Sequence, residues 1–388
     1  MHRAARAGKG VTMCASRIAA AAVATSAVDD GRAFPTRYGG GSAVRPHAYV
    51  RLLDDAGRTG DGEASPLPHF TGETVPAVAA TLEALLPLII GCDTLALGEL
   101  SARLARHPNS PAAKCAIEMA AHDLAARTLG ISLSALLGGP DALTVASTGL
   151  IGIVPEDEAV GLAQEYLAEG IGTLKMKVGR APAADVRRVV AVRAAVGPEV
   201  AIRLDANAGL PLPDILTILR GLGRADVAIE LFEQPVPADD LRGLRAVREA
   251  GVRVLVDESV HGPRDAIRVL EAGACDLIAI KLIKCGGLRA AATIARIAAE
   301  YGVGCILISP YETTVGMATT AHAAAALGTR AHAHDLMRRP SPGGGTWAHA
   351  IVPGGLRLAS TPGHGATIDR DVDARLAEQL SGARGRDG

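Results

Sequence analysis

Six charged residues in the middle of the chain are spaced as if they shared one site. The acidic members and the last lysine follow one another at separations of 28, 24 and 24 residues. One strand and one crossover helix have about that length, so we expect these groups on successive parallel strands, meeting where the strands end. The six residues are Lys175, Lys177, Asp205, Glu233, Asp257 and Lys281.

The three carboxylates, Asp205, Glu233 and Asp257, predict a site for a divalent cation. Carboxylates that converge in an apolar interior cannot all stay ionised alone, because repulsion and desolvation raise their pKa values. A hard cation removes that cost. Ligation by oxygen alone, with no His or Cys among the three, favours Mg²⁺, or Mn²⁺, over zinc.

The lysines are candidates for acid and base chemistry. Lys175 and Lys177 are two residues apart, so on a strand their side chains share a face. Their mutual repulsion should lower the pKa of at least one of them towards the working pH. Lys281 would lie four strands further round an eight-stranded ring and reach a substrate from the opposite side. Each short segment alone is a common turn signal or a solvated strand end, but their joint spacing predicts catalysis.

The elements that must position these residues are eight short apolar runs with helical stretches between them. Apolar rather than alternating strands at this regular spacing favour a closed parallel barrel over an open sheet. A doubly wound nucleotide fold is the structural rival, but no GxGxxG opens a helix and no GxxxxGK[ST] is present. The runs are 143–152, 173–178, 201–207, 229–236, 253–259, 277–282, 304–309 and 330–336.

Composition excludes several other classes of protein. The 40 Lys and Arg balance 41 Asp and Glu, which leaves no basic footprint for nucleic acid. No window of 18 consecutive apolar residues predicts a membrane helix. The six cysteines form no CxxC pair, so we interpret them as reduced. The Ala-rich run 18–28 only faintly imitates a signal peptide, and Met13 offers an alternative start to Met1, so we expect a cytoplasmic protein.

At this point the chain resembles the enolase superfamily, and within it the muconate lactonizing enzyme subgroup. The matching motifs are TLKMKVG, IRLDAN, IELFEQPV, VDES, IKLIKCGG and YETTVG, with GEASPLPHFTGE and PAAKCAIEMAAHDLAARTLG nearer the start. The resemblance implies an α/β fold in which a modified (β/α)₇β TIM-type barrel carries an N-terminal α+β capping domain. We expect a disordered leader over 1–15, a capping domain over 16–139 and a barrel over 140–345. The segment 346–388 should pack back on the capping domain and end in disorder.

Carried over residue by residue, the resemblance also implies roles. The metal ligands would be Asp205, Glu233 and Asp257, and the acid and base lysines would be Lys177 and Lys281, with Lys175 tuning its neighbour. The implied chemistry removes the proton α to a substrate carboxylate, while Mg²⁺ and the lysines stabilise the enolate. Enolase-superfamily sites are a known case of a lysine or histidine base that acts together with Mg²⁺. Residues that orient ligands and waters would be Asn207, Gln234 and Glu258.

The fate of the enolate stays open. Members of the family reprotonate it as racemases and epimerases, expel a β leaving group as o-succinylbenzoate synthase does, or act as muconate cycloisomerases. Lysines on opposite faces favour a racemase or epimerase, and the motifs are closest to those of dipeptide epimerases. A non-catalytic binding barrel is a minor alternative. The small-molecule partner is a carboxylate, and the family resemblance further implies a homo-oligomer.

One departure from the epimerase pattern bears on the substrate. Those enzymes carry a DxD pair on the last barrel strand that holds the substrate's ammonium group, and RAHAHDL here places His332 and His334 at those positions. Two imidazoles in place of two anions would disfavour an ammonium group. We therefore expect His332 and His334 to contact the substrate, and an N-acyl amino acid or an acidic compound to compete with a dipeptide. A metal role for the pair together with Asp335 and a plain polar strand end are the alternatives.

Loops around the barrel mouth supply the remaining candidate substrate contacts. The candidate loops are the segment 34–42 and the turn 70–72. The three consecutive glycines of the first suit a lid, with a plain loop as the alternative. The pocket should also be lined by residues after the seventh run, and Glu312 should hydrogen-bond Lys281 or the substrate. These candidates are Tyr38, Phe70, Thr71, Tyr311, Glu312 and Thr313.

Overall fold

The computed structural model describes residues 16–29, 43–141, 143–336, 339 and 344–384. The expected leader over 1–15 and the segment 34–42, with Tyr38, lie outside the described residues. Among the helices in the described part of the chain, none has the length and hydropathy needed to cross a membrane.

The N-terminal domain is a three-stranded antiparallel sheet covered by helices. Its longest helix packs on the third strand, where Gly60 and Gly62 leave no room for a side chain against the helix backbone around Ala116 and Ala120. The strands are β1 (Ile18–Asp29), β2 (Val44–Asp54) and β3 (Thr59–Ala64), and the helices are α1 (Pro68–Thr71), α2 (Val75–Leu85), α3 (Leu97–Ala105), α4 (Pro111–Leu129) and α5 (Leu133–Leu136), with a 3₁₀ turn at Leu86–Leu88.

The central domain alternates strands and helices, as the spacing of the apolar runs predicts. After β4 (Thr144–Ala146), its strands are β5 (Gly149–Ile151), β6 (Thr173–Lys177), β7 (Ala201–Asp205), β8 (Leu231–Glu233), β9 (Val254–Val256), β10 (Leu277–Ile280) and β11 (Gly304–Leu307). The helices between and after them are α6 (Glu156–Ala168), α7 (Pro182–Val196), α8 (Leu212–Arg224), α9 (Leu241–Glu249), α10 (Pro263–Glu271), α11 (Leu282–Cys285), α12 (Leu288–Glu300) and α13 (Thr314–Leu327).

The seven strands β5 to β11 form one parallel sheet in chain order, and a short segment closes it into a barrel. His334 makes a parallel bridge to Ser147, beside β5, and Asp335 makes one to Ile308, beside β11. The eighth position of the ring is therefore an irregular segment rather than a full strand. This is the modified barrel that the sequence predicted, and the fold prediction is confirmed.

The C-terminal segment ties the two domains together. The strands β12 (Ala350–Val352) and β13 (Gly355–Arg357) extend β4 into a small antiparallel sheet, and α14 (Arg370–Arg384) packs on β1. Leu376 and Val372 of α14 share an apolar cluster with Tyr49 of β2 and Val315 of α13. The tail thus completes the capping domain, as expected.

Two glutamates of the capping domain cap helices of the barrel. Glu63, at the end of β3, accepts hydrogen bonds from the backbone N–H groups of Thr313 and Gly316 at the start of α13. Glu118, inside α4, accepts one from the N–H of Arg289 at the start of α12. Carboxylates satisfy the free N–H groups of a helix N-terminus and complement its dipole, so these contacts fix the cap against the barrel mouth.

Candidate active site

The predicted charged residues meet at the carboxyl ends of the barrel strands. Lys177, Asp205 and Glu233 are direct neighbours in the register of β6, β7 and β8. Asp257 follows β9 and Lys281 follows β10 without an intervening residue. All three carboxylates are at most 1% exposed, so their charges cannot be left to water and must be balanced by neighbouring groups.

Lysine ammonium groups supply that balance. Lys177 Nζ lies 2.5 Å from Asp205 Oδ2, and Lys281 Nζ lies 2.5 Å from Asp257 Oδ2. Lys175 Nζ lies 3.0 Å from Glu233 Oε2, which places it between the first two acidic strands. Each lysine named by the sequence thus contacts a carboxylate named by the sequence.

A fourth lysine, Lys284, belongs to the same cluster and was missed by sequence reasoning. Its Nζ lies 2.8 Å from Asp257 Oδ1 and donates to the Asp257 carbonyl at 2.6 Å. It stands on the short helix α11, one turn after Lys281, so the strand pattern gave no reason to include it. The repeated lysine of IKLIKC was the only available signal.

The pKa values show how strongly the carboxylates act on one another. Burial, followed by the charges of Asp205 and other neighbouring carboxylates, raises the pKa of Glu233 to about 8. Burial also acts to raise the pKa of Asp205, but Lys177 and Lys175 outweigh it and lower that pKa to about 2. Burial opposes ionisation of Asp257 in the same way, but Lys281 and Lys284 hold its pKa well below the usual range. The cluster therefore holds more carboxylates than its lysines fully neutralise.

Repulsion between Lys175 and Lys177 was expected to lower the pKa of at least one of them, but the pKa of Lys175 is raised. Burial acts to lower the pKa of Lys175, but Asp335, Glu233 and Asp205 raise it well above its ordinary value. Carboxylates surround this ammonium group more closely than its lysine neighbour does. The expectation that at least one of the two lysines has a lowered pKa is thus not met at Lys175.

The donor set fits a hard divalent cation. Asp205, Glu233 and Asp257 offer buried carboxylate oxygens on three adjacent strands, and the raised pKa of Glu233 marks negative charge that the lysines leave uncompensated. Within the described residues, no three His, Cys, Asp or Glu side chains stand arranged to hold a metal ion. The lysine pairs explain this, since each carboxylate is turned towards an ammonium group. The residues present could hold Mg²⁺ once those pairs open.

The three expected supporting residues contact the cluster. Asn207 Oδ1 accepts from Lys177 at 2.8 Å, and the Asn207 N–H donates to Asp205 Oδ1 at 2.8 Å. Gln234 Oε1 accepts from the N–H of Asp257 at 2.9 Å. Asn207 and Gln234 adopt positive φ angles of 46° and 31°, uncommon for residues with side chains. Burial and then Asp257 raise the pKa of Glu258 to about 7.

The capping domain reaches the cluster through Phe70. Lys281 Nζ lies 4.0 Å from the centre of the Phe70 ring, and Lys284 Nζ lies 5.7 Å from it, within range of cation–π attraction. Thr71 stays local, because its hydroxyl donates to the carbonyl of Leu67. Tyr311 is covered by Arg45, whose guanidinium lies 3.5 Å from the centre of the Tyr311 ring.

Glu312 and Thr313 are engaged inside the protein. The Thr313 hydroxyl donates to Glu63 at 2.6 Å, and Glu312 Oε2 accepts from Thr320 at 2.9 Å. Burial, with the charge of Glu63, raises the pKa of Glu312 to about 8. Glu312 was expected to hydrogen-bond Lys281 or the substrate, but in the structure it accepts a hydrogen bond from Thr320.

The expected substrate contacts at His332 and His334 need correction. His334 is 4% exposed and its Nδ1 accepts from the N–H of Leu307, while its ring lies against Gly328 at the end of α13. His332 Nδ1 lies 2.5 Å from Glu230, just before β8 and thus at the opposite strand end from Glu233. The two residues do not present a pair of imidazoles to the lysine cluster.

Asp335 is the residue of this segment that joins the site. It pairs with Lys175, and its Oδ1 accepts from the Thr148 hydroxyl at 2.7 Å. Because side chains alternate along an extended segment, the inward position falls on Asp335 and not on the histidine before it. The aspartate is visible in the sequence HAHD, but the sequence does not show which residues of this short, irregular segment point into the barrel.

Three carboxylates with their lysine partners at the strand ends of one barrel are the arrangement that the resemblance to the enolase superfamily implies. Comparisons with known proteins agree. Residues 22–138 match the mandelate racemase and muconate lactonizing enzyme N-terminal domain, and residues 158–372 match the family described as enolase C-terminal domain-like. The chain therefore belongs to the mandelate racemase and muconate lactonizing enzyme family of the enolase superfamily.

Individual relatives within this family include dipeptide epimerases. The chain is 38% identical to the L-Ala-D/L-Glu epimerase of Bacillus subtilis over 71% of this chain and 76% of that protein. It is 36% identical to the hydrophobic dipeptide epimerase of Enterococcus faecalis over 72% and 79%. The structure of a dipeptide epimerase from Enterococcus faecalis, solved with Mg and the dipeptide L-Leu-L-Tyr, superposes on this chain with a TM-score of 0.85. The superposition covers 90% of this chain and 99% of that one, at 31% sequence identity. The chain is an isomerase of the racemase and epimerase kind, as predicted.

Proposed function

We propose that this protein is a Mg²⁺-dependent epimerase that inverts the carbon α to the free carboxylate of a dipeptide. The observation that carries the proposal is the order of charged groups round the barrel. Lys177 and Lys281 end the first and last of five consecutive strands, and the three carboxylates end the strands between them. Four steps round an eight-membered ring place the two lysines on opposite sides of anything bound at its centre.

Asp205, Glu233 and Asp257 would hold the cation, with Asn207, Gln234 and Glu258 orienting them. Bound there, Mg²⁺ would draw electron density towards the substrate carboxylate and offset the negative charge that develops on it. With these carboxylates engaged as ligands, Lys177 and Lys281 would no longer pair with Asp205 and Asp257 and would be available to the substrate, with Lys175 next to Lys177 on the same strand face.

The lysines perform the proton transfers. One neutral ε-amine accepts the α proton, and the electron pair of the C–H bond moves into the carboxylate to give an enolate. The opposite lysine, as an ammonium ion, donates a proton to the other face of the same carbon. The net result is inversion without any other change in the substrate. In a dipeptide only the C-terminal residue has its α carbon next to a free carboxylate, so this residue is the one inverted.

Asp335 supports a dipeptide over an N-acyl amino acid. The histidine pair had argued against a substrate ammonium group, but a buried carboxylate lies on the same segment and contacts Lys175. One carboxylate here suits the N-terminal ammonium of a dipeptide. The ring of Phe70 would form the apolar wall on the Lys281 side.

The proposal is tested by incubating the protein with Mg²⁺ in D₂O and a panel of dipeptides, N-acyl amino acids and succinylbenzoate precursors. Mass spectrometry and chiral chromatography follow deuterium uptake and configuration. We expect deuterium at the C-terminal α carbon of dipeptides, together with inversion. Loss of water from a succinylbenzoate precursor without dipeptide exchange would instead favour a synthase and contradict the proposal. Assembly into a homo-oligomer and a cytoplasmic location stay predictions.

A further inference from the structure

Arg203 is a buried charged residue below the active site, in the middle of an otherwise apolar layer. It is 0% exposed and lies on β7, two residues before Asp205 and on the same inward face. The apolar layer around the barrel axis consists of Leu231, Leu255, Leu277, Ala279, Ile306 and Ile308. A guanidinium in such a place costs several kcal/mol of desolvation unless its partners are well placed.

Its partners connect the two ends of the barrel. Arg203 Nε donates to Glu230 Oε2 at 2.6 Å, towards the end of the barrel remote from the active site. Its Nη1 donates to the carbonyl of Ala333 at 2.8 Å and lies 3.9 Å from Asp335 Oδ1. Asp335 in turn pairs with Lys175. One side chain thus holds the backbone and the carboxylate of the segment that closes the barrel.

The segment that closes the barrel, around His334 and Asp335, pairs with its neighbours over fewer residues than the other strands do. In the described chain its pairing to each neighbour is a single bridge, from His334 to Ser147 and from Asp335 to Ile308. Full strands elsewhere in the barrel pair over two to five residues. The backbone of Asp335 bonds to Leu307 and Ser309, while its side chain is held by Lys175 and Thr148, with the guanidinium of Arg203 3.9 Å away.

We propose that Arg203, clamped by Glu230, is a positioning residue for the reaction: it holds Asp335 against Lys175 and so fixes Lys175 beside the base Lys177. This inference rests on the proposed function for its catalytic readout. It predicts an asymmetric defect, because the clamp acts on the Lys177 side of the site and has no contact with Lys281. A residue that only stabilised the fold would affect both faces alike.

The test uses R203M and the double variant R203M/E230M. Removing only the arginine leaves Glu230 without its main partner, so R203M should have a lowered Tm. Replacing both members by apolar side chains should restore much of that Tm, because no unpaired charge remains. R248M is the matched control, since Arg248 makes a two-pronged pair with Asp276 between α9 and the start of β10, outside the barrel interior.

We expect both Arg203 variants to exchange the α proton at least tenfold more slowly for the dipeptide epimer that Lys177 deprotonates. Exchange of the other epimer should stay within threefold of the wild type, and R248M should slow neither. The two epimers are assigned to Lys177 and Lys281 with K177M. Recovery of exchange together with Tm in the double variant, or an equal loss on both faces, would show a purely structural role and overturn the inference.

A second readout needs no substrate and separates this inference from the proposed function. Reductive methylation, followed by mass spectrometry, measures the reactivity of each lysine. Lys175 should react faster in R203M/E230M than in the wild type, while Lys281 stays unchanged. If the wild type exchanges no dipeptide, the proposed function fails and this labelling decides the inference alone. Unchanged Lys175 labelling would overturn it.

Discussion

The carboxylate of Glu63, in the capping domain, accepts hydrogen bonds from both the N–H and the hydroxyl of Thr313, at 2.7 and 2.6 Å. A third bond comes from the N–H of Gly316 at 2.8 Å, and His47 Nδ1 lies 3.0 Å from the same carboxylate. All of these groups are buried. The start of α13 in the barrel is thus capped by a residue of another domain, and this side chain contributes to domain docking together with Glu118.

E63Q should lower the free energy of unfolding by about 1.5–3 kcal/mol, since an amide cannot accept with both ends where a carboxylate did. Urea denaturation at pH 7.5 measures the change. E99Q is the matched control, because Glu99 pairs with Arg103 on an exposed helix face. That change should stay within about 0.5 kcal/mol. Equal effects from the two variants would contradict the docking role of Glu63.

Metal binding should stabilise the wild-type fold. A ligand that binds only the native state adds about 2.7 kcal/mol when its concentration is a hundred times its Kd. We therefore expect millimolar Mg²⁺ to raise Tm, and E233Q to abolish that rise as well as dipeptide exchange. E271Q, at the exposed end of α10, should keep both. A Mg²⁺-dependent Tm rise that survives in E233Q would remove Glu233 from the ligand set.

Asp335 should discriminate between substrate classes. If it receives the N-terminal ammonium, D335N should lose about ten- to hundredfold in kcat/KM on a dipeptide, the worth of one charged hydrogen bond. On the N-acetylated dipeptide, the loss of kcat/KM in D335N should be at least tenfold smaller than on the free dipeptide. If the N-acetylated compound does not react, its inhibition constant should be the same in D335N and the wild type. T148V, which removes only the hydroxyl bonded to Asp335, should affect both compounds alike. Equal losses in D335N would mean that Asp335 serves Lys175 and not the substrate.

Two buried neutral histidines remote from the carboxylate cluster should lower the stability in mild acid, whereas the raised pKa values of Glu233 and Glu312 act in the opposite direction. Burial lowers the pKa of His322 to about 3, and burial lowers that of His349 to about 4. The unfolded chain binds protons on both below about pH 6.5, so it is favoured as the pH falls. Each histidine should cost about 2 kcal/mol between pH 7 and pH 5. Between pH 7 and pH 5, urea titrations should show H349Q gaining about 2 kcal/mol relative to the wild type, whereas H107Q should follow the wild type. Identical pH profiles for H349Q and the wild type would contradict the prediction.

The charged residues at strand ends could be predicted because barrel geometry turns sequence spacing into proximity. A strand-plus-helix repeat places Asp205, Glu233 and Asp257 together whatever the helices contain. The same logic failed at His332 and His334, since the closing segment is held by single bridges and its inward phase depends on tertiary contacts. Arg203 and Glu230 were missed because nothing along the chain marks a charge as buried.

The central claim is that two lysines work on opposite faces of one carbon, and α-proton exchange measured separately on each epimer of a dipeptide tests it directly. K177M and K281M are each incubated with Mg²⁺ in D₂O and with the separate L,L and L,D forms of a dipeptide that the wild type epimerises. We predict that each variant loses inversion but retains α-proton exchange on one form only, and that the retained form differs between the two variants. Inversion that survives both changes, or exchange of the same form in both, would contradict the account.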